Sequence, residues 1–199
     1  MAGLDPAIHP IFVRAFSRRR WMRGSSPRMT RPWVKLAGDT RSIMREIVVG
    51  VISDTHGLMR PAALAALRGS DLIIHAGDVG RPEVIEALRK LAPIFVVRGN
   101  VDTAGWAASL PMTETVTVGE LSFFVIHEIS ALDLDPAAAA GFAAVVHGHS
   151  HQPAIETRDG VLFLNPGSAG PRRFTLPVAV ARVRVSGRQL RPEIVELRV

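Results

Sequence analysis

Ile47-Val48-Val49-Gly50-Val51-Ile52-Ser53-Asp54-Thr55-His56-Gly57 is the stretch on which the reading of this chain turns. Residues Ile47 to Ile52 are apolar throughout, as in a strand covered on both faces. Asp54 and His56 follow two residues apart, so an extended backbone would point both side chains the same way. A carboxylate and an imidazole aimed together from a strand's exit are half of a nitrogen–oxygen metal site. One Asp-x-His pair decides little. The pattern is answered downstream, and that gives it weight.

Working outward, the chain reads strand, helix, strand, helix, strand. Arg60-Pro61 opens a helix with Leu64 and Leu67 on one face, stopped near Gly69, and Asp71 to Asp78 holds a second buried strand. Pro82 sits at a helix start, with Glu83 and Glu86 early and Arg89 and Lys90 late, the charge order a helix dipole favours. Ile94 to Val97 is the third strand, ending at Arg98-Gly99-Asn100. Such alternation predicts a parallel core with crossover helices.

The second half changes to hairpins. Thr115 to Glu128 turns about Gly119-Glu120, and Asp135-Pro136 opens a short Ala-rich helix before the strand 143–146. Asp159-Gly160 separates the strands 154–157 and 161–164, and Ser186-Gly187 splits a closing hairpin over 178–199. The economical architecture is α/β: two sheets packed face to face, with helices outside, in a single domain.

Composition narrows the function classes. The chain has 199 residues, enough for one domain with a proper core, and no cysteine. Disulfides, thiolate metal sites and cysteine nucleophiles are therefore excluded, and a reducing, cytoplasmic setting fits. The longest uncharged apolar run, Ala137 to Val146, is too short to span a bilayer. Residues 1–43 carry 9 Lys+Arg against 2 Asp+Glu, whereas 44–199 carry 15 against 16, so the net +6 belongs to the leader. A near-neutral body argues against a nucleic-acid footprint.

The leader itself reads as an extension without apolar periodicity. Its composition admits a basic targeting or binding tail. The favoured reading is that 1–43 is not a native part of the protein. Gly3-Leu4-Asp5-Pro6-Ala7-Ile8-His9 and Ser26-Pro27-Arg28-Met29-Thr30 resemble translated repeats of over-extended bacterial reading frames, and Met44 stands where a natural start would. The segment is expected to be poorly ordered.

The chemistry gathers where strands end. Asp54 with His56, Asp78 after Gly77, and Asn100 after Gly99 close the first three strands; His127 closes a later one, and His149 and His151 lie in His147-Gly148-His149-Ser150-His151. Ligands collect at the carboxyl ends of strands in open α/β sheets. His75 and His147 lie inside strand-like runs and read as packing residues. Independent coincidences at the ends of five strands do not account for the rest.

Asp-x-His, Gly-Asp, Gly-Asn, His and Gly-His-x-His, in that order, resemble the motifs of the calcineurin-like metallophosphoesterase superfamily. Gly99-Asn100-Val101-Asp102 and Asn165-Pro166-Gly167-Ser168 are similar to those of its small single-domain phosphodiesterase branch, over about residues 46–185. The resemblance implies a four-layer α/β/β/α sandwich and a dinuclear metal centre. By motif position it implies Asp54, His56, Asp78 and His151 on one ion and Asp78, Asn100, His127 and His149 on the other, with Asp78 bridging. Asp54, His56, Asp78, Asn100 and His149 are the residues expected to carry catalysis.

Two divalent cations bring +4, while Asp54, Asp78 and a bridging hydroxide return −3, so the centre would stay cationic and attract phosphate. Coordination can bring a water's pKa from ~15.7 to about 7, and two metals can orient it for in-line attack on a phosphate diester. A thiolate-free N/O set fits Mn, Fe, Zn or Ni; the resemblance favours Mn2+. The expected partner is a small-molecule phosphodiester rather than a membrane or nucleic acid, and a homo-oligomer is compatible with the sequence.

Two departures stand out. Val101 occupies the place of a histidine thought to assist the leaving group in larger relatives, and Glu128 follows His127 where the branch usually has glycine. Arg172 and Arg173 follow the Asn-Pro-Gly-Ser turn, as phosphate contacts or as a solvated pair. The rival class is a non-catalytic scaffold, because a eukaryotic retromer subunit resembles this fold with a degraded site; the full ligand set here speaks against it. A nucleic-acid-binding protein acting through the basic leader is the third class.

Because the leader lacks the periodicity needed to bury itself, deleting residues 1–43 is expected to leave both melting temperature and activity unchanged. A loss of many degrees in thermal melting would show that it docks on the domain.

Overall fold

The structure is a computed structural model and describes residues 45–132 and 141–199. The leader 1–43 and the expected Ala-rich helix from Asp135-Pro136 lie outside the described residues. The elements in order are β1 (Ile47–Ile52), α1 (Pro61–Leu67), β2 (Leu72–His75), α2 (Pro82–Arg89), β3 (Ile94–Val96), β4 (Thr113–Val118), β5 (Leu121–Ile126), β6 (Ala144–Val146), β7 (Ala154–Arg158), β8 (Val161–Asn165), β9 (Ala179–Ser186) and β10 (Gln189–Glu196). Short 3-10 turns at Gly105–Ser109 and Ile129–Ala131 complete the described secondary structure.

β1 shows how the layers are built. Val49 and Val51 pack into the core between the two sheets, while Ile52 packs among the helical residues on the other face. Gly50 lies on that helical face, where an added Cβ would stand 2.7 Å from Ser70 Oγ and 2.8 Å from Leu67 Cδ2. Glycine is what lets α1 approach the strand. Both helices start on a proline, and α2 places Glu83 in its first turn and Arg89 in its last, so backbone rather than side-chain caps define their ends. α2 buries Val84, Ile85 and Leu88 against the sheet.

The first sheet has the order β10-β9-β1-β2-β3. β1, β2 and β3 are parallel, as the alternation predicted, but β9 returns antiparallel beside β1 and carries β10 outside it. The sheet is therefore mixed. Pro192, which cannot donate to a ladder, lies in the edge strand β10.

The second sheet has the order β4-β5-β6-β8-β7. The expected β4–β5 and β7–β8 hairpins form its two sides, yet β5, β6 and β8 run parallel at its centre. Val116, Phe123, Val125, Val146 and Leu164 pack inward against Val51, Ile74 and Val183 of the first sheet. The outer face of the second sheet gathers Ile126, Val145 and Val161, with Leu132 packed on them. Helices cover the outer face of the first sheet; residues 133–140, where the Ala-rich helix was expected to begin, lie outside the described residues.

The carboxyl ends of β1, β2 and β3 in one sheet, and of β5, β6 and β8 in the other, supply the loops that meet at one edge of the sandwich. That edge holds the polar residues.

Candidate metal centre

The loop after β1 does not stay extended. Asp54 has φ 53° and His56 φ 47°, so the two side chains converge through left-handed backbone rather than strand alternation, which corrects the expectation. Asp78 (φ 53°), His149 (φ 68°) and His151 (φ 58°) share that conformation. A side-chain-bearing residue pays about 1–2 kcal/mol for it, so persistence at five candidate ligands needs an opposing framework. The framework is backbone pairing between adjacent loops: Asp54 N–H donates to Gly77 O (3.0 Å), His56 N–H to Asp78 O (2.9 Å) and Gly148 N–H to His127 O (3.0 Å).

The seven predicted residues come together. One ligand atom from each of Asp54, His56, Asp78 and His151 lies within 4.8 Å of the others. His56 Nε2 and His151 Nε2 stand 3.3 Å apart, and His151 Nε2 lies 3.2 Å from Asp54 Oδ1. That last contact lacks hydrogen-bond geometry, and Asp54 Oδ1 is buried without a hydrogen-bond partner. On the other side of Asp78, His127 Nε2 is 3.4 Å from Asp78 Oδ1, and Asn100 Oδ1 is 3.1 Å from both His127 Nε2 and His149 Nδ1.

The orientation of His127 tests whether this set suits a cation. Its Nδ1 lies 2.8 Å from Ala76 O, a carbonyl that can only accept, so Nδ1 carries a proton. In the neutral ring Nε2 then turns a lone pair toward the Asp78 and Asn100 oxygens. Converging lone pairs repel unless a proton or a metal ion lies among them. Together with the orphaned Asp54 oxygen, the arrangement fits divalent cations held by nitrogen and oxygen donors. Without a metal, protons register the same pressure. Burial lowers the proton affinity of His127, but hydrogen bonding to Asp78 and to the Ala76 carbonyl outweighs it and leaves the pKa raised. For Asp78, burial pushes upward, yet contacts from His127 and the Val101 N–H leave its pKa lowered. His56 is lowered, chiefly by burial.

Glu128 does not displace His127. Its carboxylate accepts from Ser130 Oγ (2.6 Å) and lies 3.9 Å from His149 Nε2, at the open side of the centre. A hollow of about 340 Å³ adjoins Asn100, His127 and Glu128 and extends to Met112 and Ala131. A larger one, about 460 Å³, borders the β4–β5, β7–β8 and β9–β10 turns and contains none of the seven residues.

Sequence reading missed the residues that hold the loops. Asp102 is buried and accepts N–H bonds from Val79 (3.1 Å), Gly80 (2.8 Å) and Gly99 (2.8 Å), tying the second and third ligand loops together. Asn165 donates to Gly148 O (2.9 Å) and accepts from Gly167 N–H (2.9 Å). Ser168 Oγ donates to Asp54 O (2.9 Å). The Asn-Pro-Gly-Ser turn was visible in sequence; its role as a clamp on the first ligand loop was not.

His75, read as a packing residue, is fully buried, with Nε2 2.9 Å from Thr55 Oγ1 and Nδ1 accepting from Gly77 N–H (3.3 Å).

The chain matches the calcineurin-like phosphoesterase superfamily domain over residues 47–188. A probable metallophosphoesterase of Methanothermobacter thermautotrophicus is 31% identical over 164 residues, covering 75% of this chain and 92% of the relative. The phosphodiesterase MJ0936 of Methanocaldococcus jannaschii is 27% identical over 136 residues, covering 60% and 82%. Vps29 of Chaetomium thermophilum superposes with a TM-score of 0.62 at 20% identity, covering 76% of this chain and 97% of that one, a likeness of fold alone.

Burial lowers the His75 pKa from 6.5 to about 4, against weaker opposite pulls from Asp102 and Asp54. The unfolded chain therefore takes up this proton first as pH falls. The stabilisation from keeping His75 neutral is complete above pH ~6.5 and lost progressively down to pH ~4, on the order of 3 kcal/mol. Urea unfolding across this range should show that decline, and His75→Gln should flatten it; equal slopes in both proteins would remove His75 as the cause.

Proposed function

Because the chain belongs to the calcineurin-like phosphoesterase superfamily, we propose that it is a metal-dependent phosphodiesterase with two divalent ions, Mn2+ first among the candidates. The observation that carries the reading is the pair of facing donor sets, with Asp78 between His56 on one side and His127 on the other at 3.8 and 3.4 Å. Asp54, His56, Asp78 and His151 would hold one ion; Asp78, Asn100, His127 and His149 would hold the other. Bound cations supply an acidified water and neutralise charge on phosphoryl oxygens.

The chain's own groups supply position. The Val101 N–H holds Asp78 Oδ1 at 3.0 Å, and the His149 N–H holds Asp54 Oδ2 at 3.1 Å, so one oxygen of each carboxylate is braced by the opposite loop. The Ala76 carbonyl fixes the His127 tautomer, keeping Nε2 available as a donor atom. No proton donor stands at Val101, which is 42% exposed, and neighbouring Asp102 faces backbone amides. The hollow of about 340 Å³ beside Asn100 and the near-neutral body support a small diester over nucleic acid as the substrate. The cysteine-free sequence supports a cytoplasmic setting.

The direct test is hydrolysis of phosphate diesters by metal-supplemented protein alongside measured metal content. Asp78→Asn keeps the size and removes the charge needed between two cations. We expect loss of at least one ion and a fall of at least ~10²-fold in turnover. Normal metal content with near-normal turnover would sink the dinuclear reading. Failure of the wild type to bind metal or hydrolyse any diester would revive a scaffold.

With valine at 101, leaving-group expulsion depends on the stability of the departing alkoxide or phenolate. Aryl diesters are expected to react far faster than alkyl ones. Val101→His should narrow that gap, general acid assistance typically being worth ~10²–10⁴-fold when well placed. A diester series of graded leaving-group pKa reads this out; equal slopes in wild type and variant would take Val101 out of the mechanism.

A further inference from the structure

We propose that the turn Arg173-Phe174-Thr175-Leu176 is a substrate-binding element of this centre, in which the Phe174 ring stacks on a planar aromatic arm of the diester while the Arg173 guanidinium binds a phosphoryl oxygen. The proposal deepens the phosphodiesterase reading and rests on it.

Phe174 is anomalous twice over. Its backbone is left-handed, φ 51°, in a turn closed by Leu176 N–H donating to Arg173 O at 3.0 Å. Glycine, asparagine or aspartate ordinarily takes such a position, and a bulky aromatic is disfavoured there. Its side chain is also 92% exposed, so the ring returns no burial to the fold. A strained backbone and a solvated phenyl ring, with no compensation among the described residues, point to a ligand.

The location of the turn says which ligand. The segment leading into it is stitched to the first ligand loop: Ala169 N–H donates to Ser53 O (3.1 Å), Gly170 N–H to Asp54 O (3.2 Å), and Arg60 Nε to Gly170 O (3.1 Å). Gly170 lies so close that a Cβ there would collide with the Asp54 and Thr55 carbonyls. Arg173 is three residues on, so its backbone cannot be more than ~11 Å along the chain from that anchor. An extended arginine side chain covers much of that distance back. Among the described residues, neither Arg172 nor Arg173 makes an ion pair, and both are exposed.

Exposed apolar side chains sit on the loops that carry the donors. Leu58 follows the first ligand loop and is 39% exposed; Val101 follows Asn100; Met112, 54% exposed, lines the hollow beside Asn100 and His127. With Phe174 these account for four of the six large hydrophobic residues exposed among the described residues. A cation-suited centre with exposed apolar side chains on its neighbouring loops suits a phosphate carrying apolar, ring-bearing arms better than a bare phosphate. An arginine beside an aromatic ring supplies both halves of that recognition.

The test is calorimetric binding of phenyl phosphate and methyl phosphate to the full chain in Mn2+, with diester hydrolysis followed on the same samples. In the wild type, phenyl phosphate should bind at least about fivefold more tightly than methyl phosphate, the scale of one stacking contact. Phe174→Gly should abolish that preference, leave methyl phosphate affinity within about twofold, and not lower the melting temperature, since glycine relaxes the turn. Arg173→Gln should weaken both ligands alike. Equal affinities in the wild type, or a preference that survives Phe174→Gly, would overturn the proposal. Hydrolysis without the aryl preference would overturn this inference and keep the enzyme reading. The aryl preference without hydrolysis would sustain the turn as a binding element and overturn the catalytic reading.

Discussion

Everything at this edge of the sandwich is arranged around the Asp78 carboxylate. It stands between two groups of lone-pair donors, His56 on one side and His127 on the other, in a buried position where unshielded negative charge is costly. The neighbouring backbone has to crowd in to brace it. Gly99 has no Cβ because one would overlap Asp78 itself, and a Cβ on Gly77 would come within 2.5 Å of the His127 ring. Such crowding makes sense when the donors share a cation, which turns mutual repulsion into common attraction. As side chains alone, the set is electrostatically unfinished.

The rest of the fold makes this closeness affordable. Two sheets, each with three parallel strands, present six strand ends at one edge, and each ligand loop leans on a loop from a neighbouring strand. The left-handed residues are held by loop-to-loop hydrogen bonds, and Asp102 and Asn165 tie together loops that are far apart in sequence. The final hairpin shares in this. β9 pairs with β1, and the segment just before it carries Ser168 and Gly170 onto the backbone of Asp54. Strain at the ligands is thus offset by packing that begins more than a hundred residues later in the chain.

Membership of the superfamily and the two-sheet fold agree with what the motif order implied, and the helices beginning at Pro61 and Pro82 lie where proline and charge order put them. These were legible because each depends on short-range chemistry: apolar runs, helix starts, turn dipeptides, and ligand-type residues at strand exits. The hairpins at Gly119-Glu120 and Asp159-Gly160 were legible for the same reason. Their sheet membership was not. Nothing local in β9 says that it returns to β1, or in β6 that it runs parallel between β5 and β8, because pairing is decided by which buried faces complement one another after collapse.

The same division holds within the site. The sequence by itself determined the donor types, their order, and their placement after strands, since those are properties of residues and spacing. Only the tertiary structure decided how they converge. Asp54 and His56 meet through positive φ angles rather than along an extended strand, and those angles persist only because the loops of Gly77 and Asp78 bond to them. Asp102 became a brace and Phe174 an exposed, strained ring for the same reason. A residue's identity fixes what it can donate or accept; its partners, and the backbone geometry they enforce, exist only once distant segments are packed together.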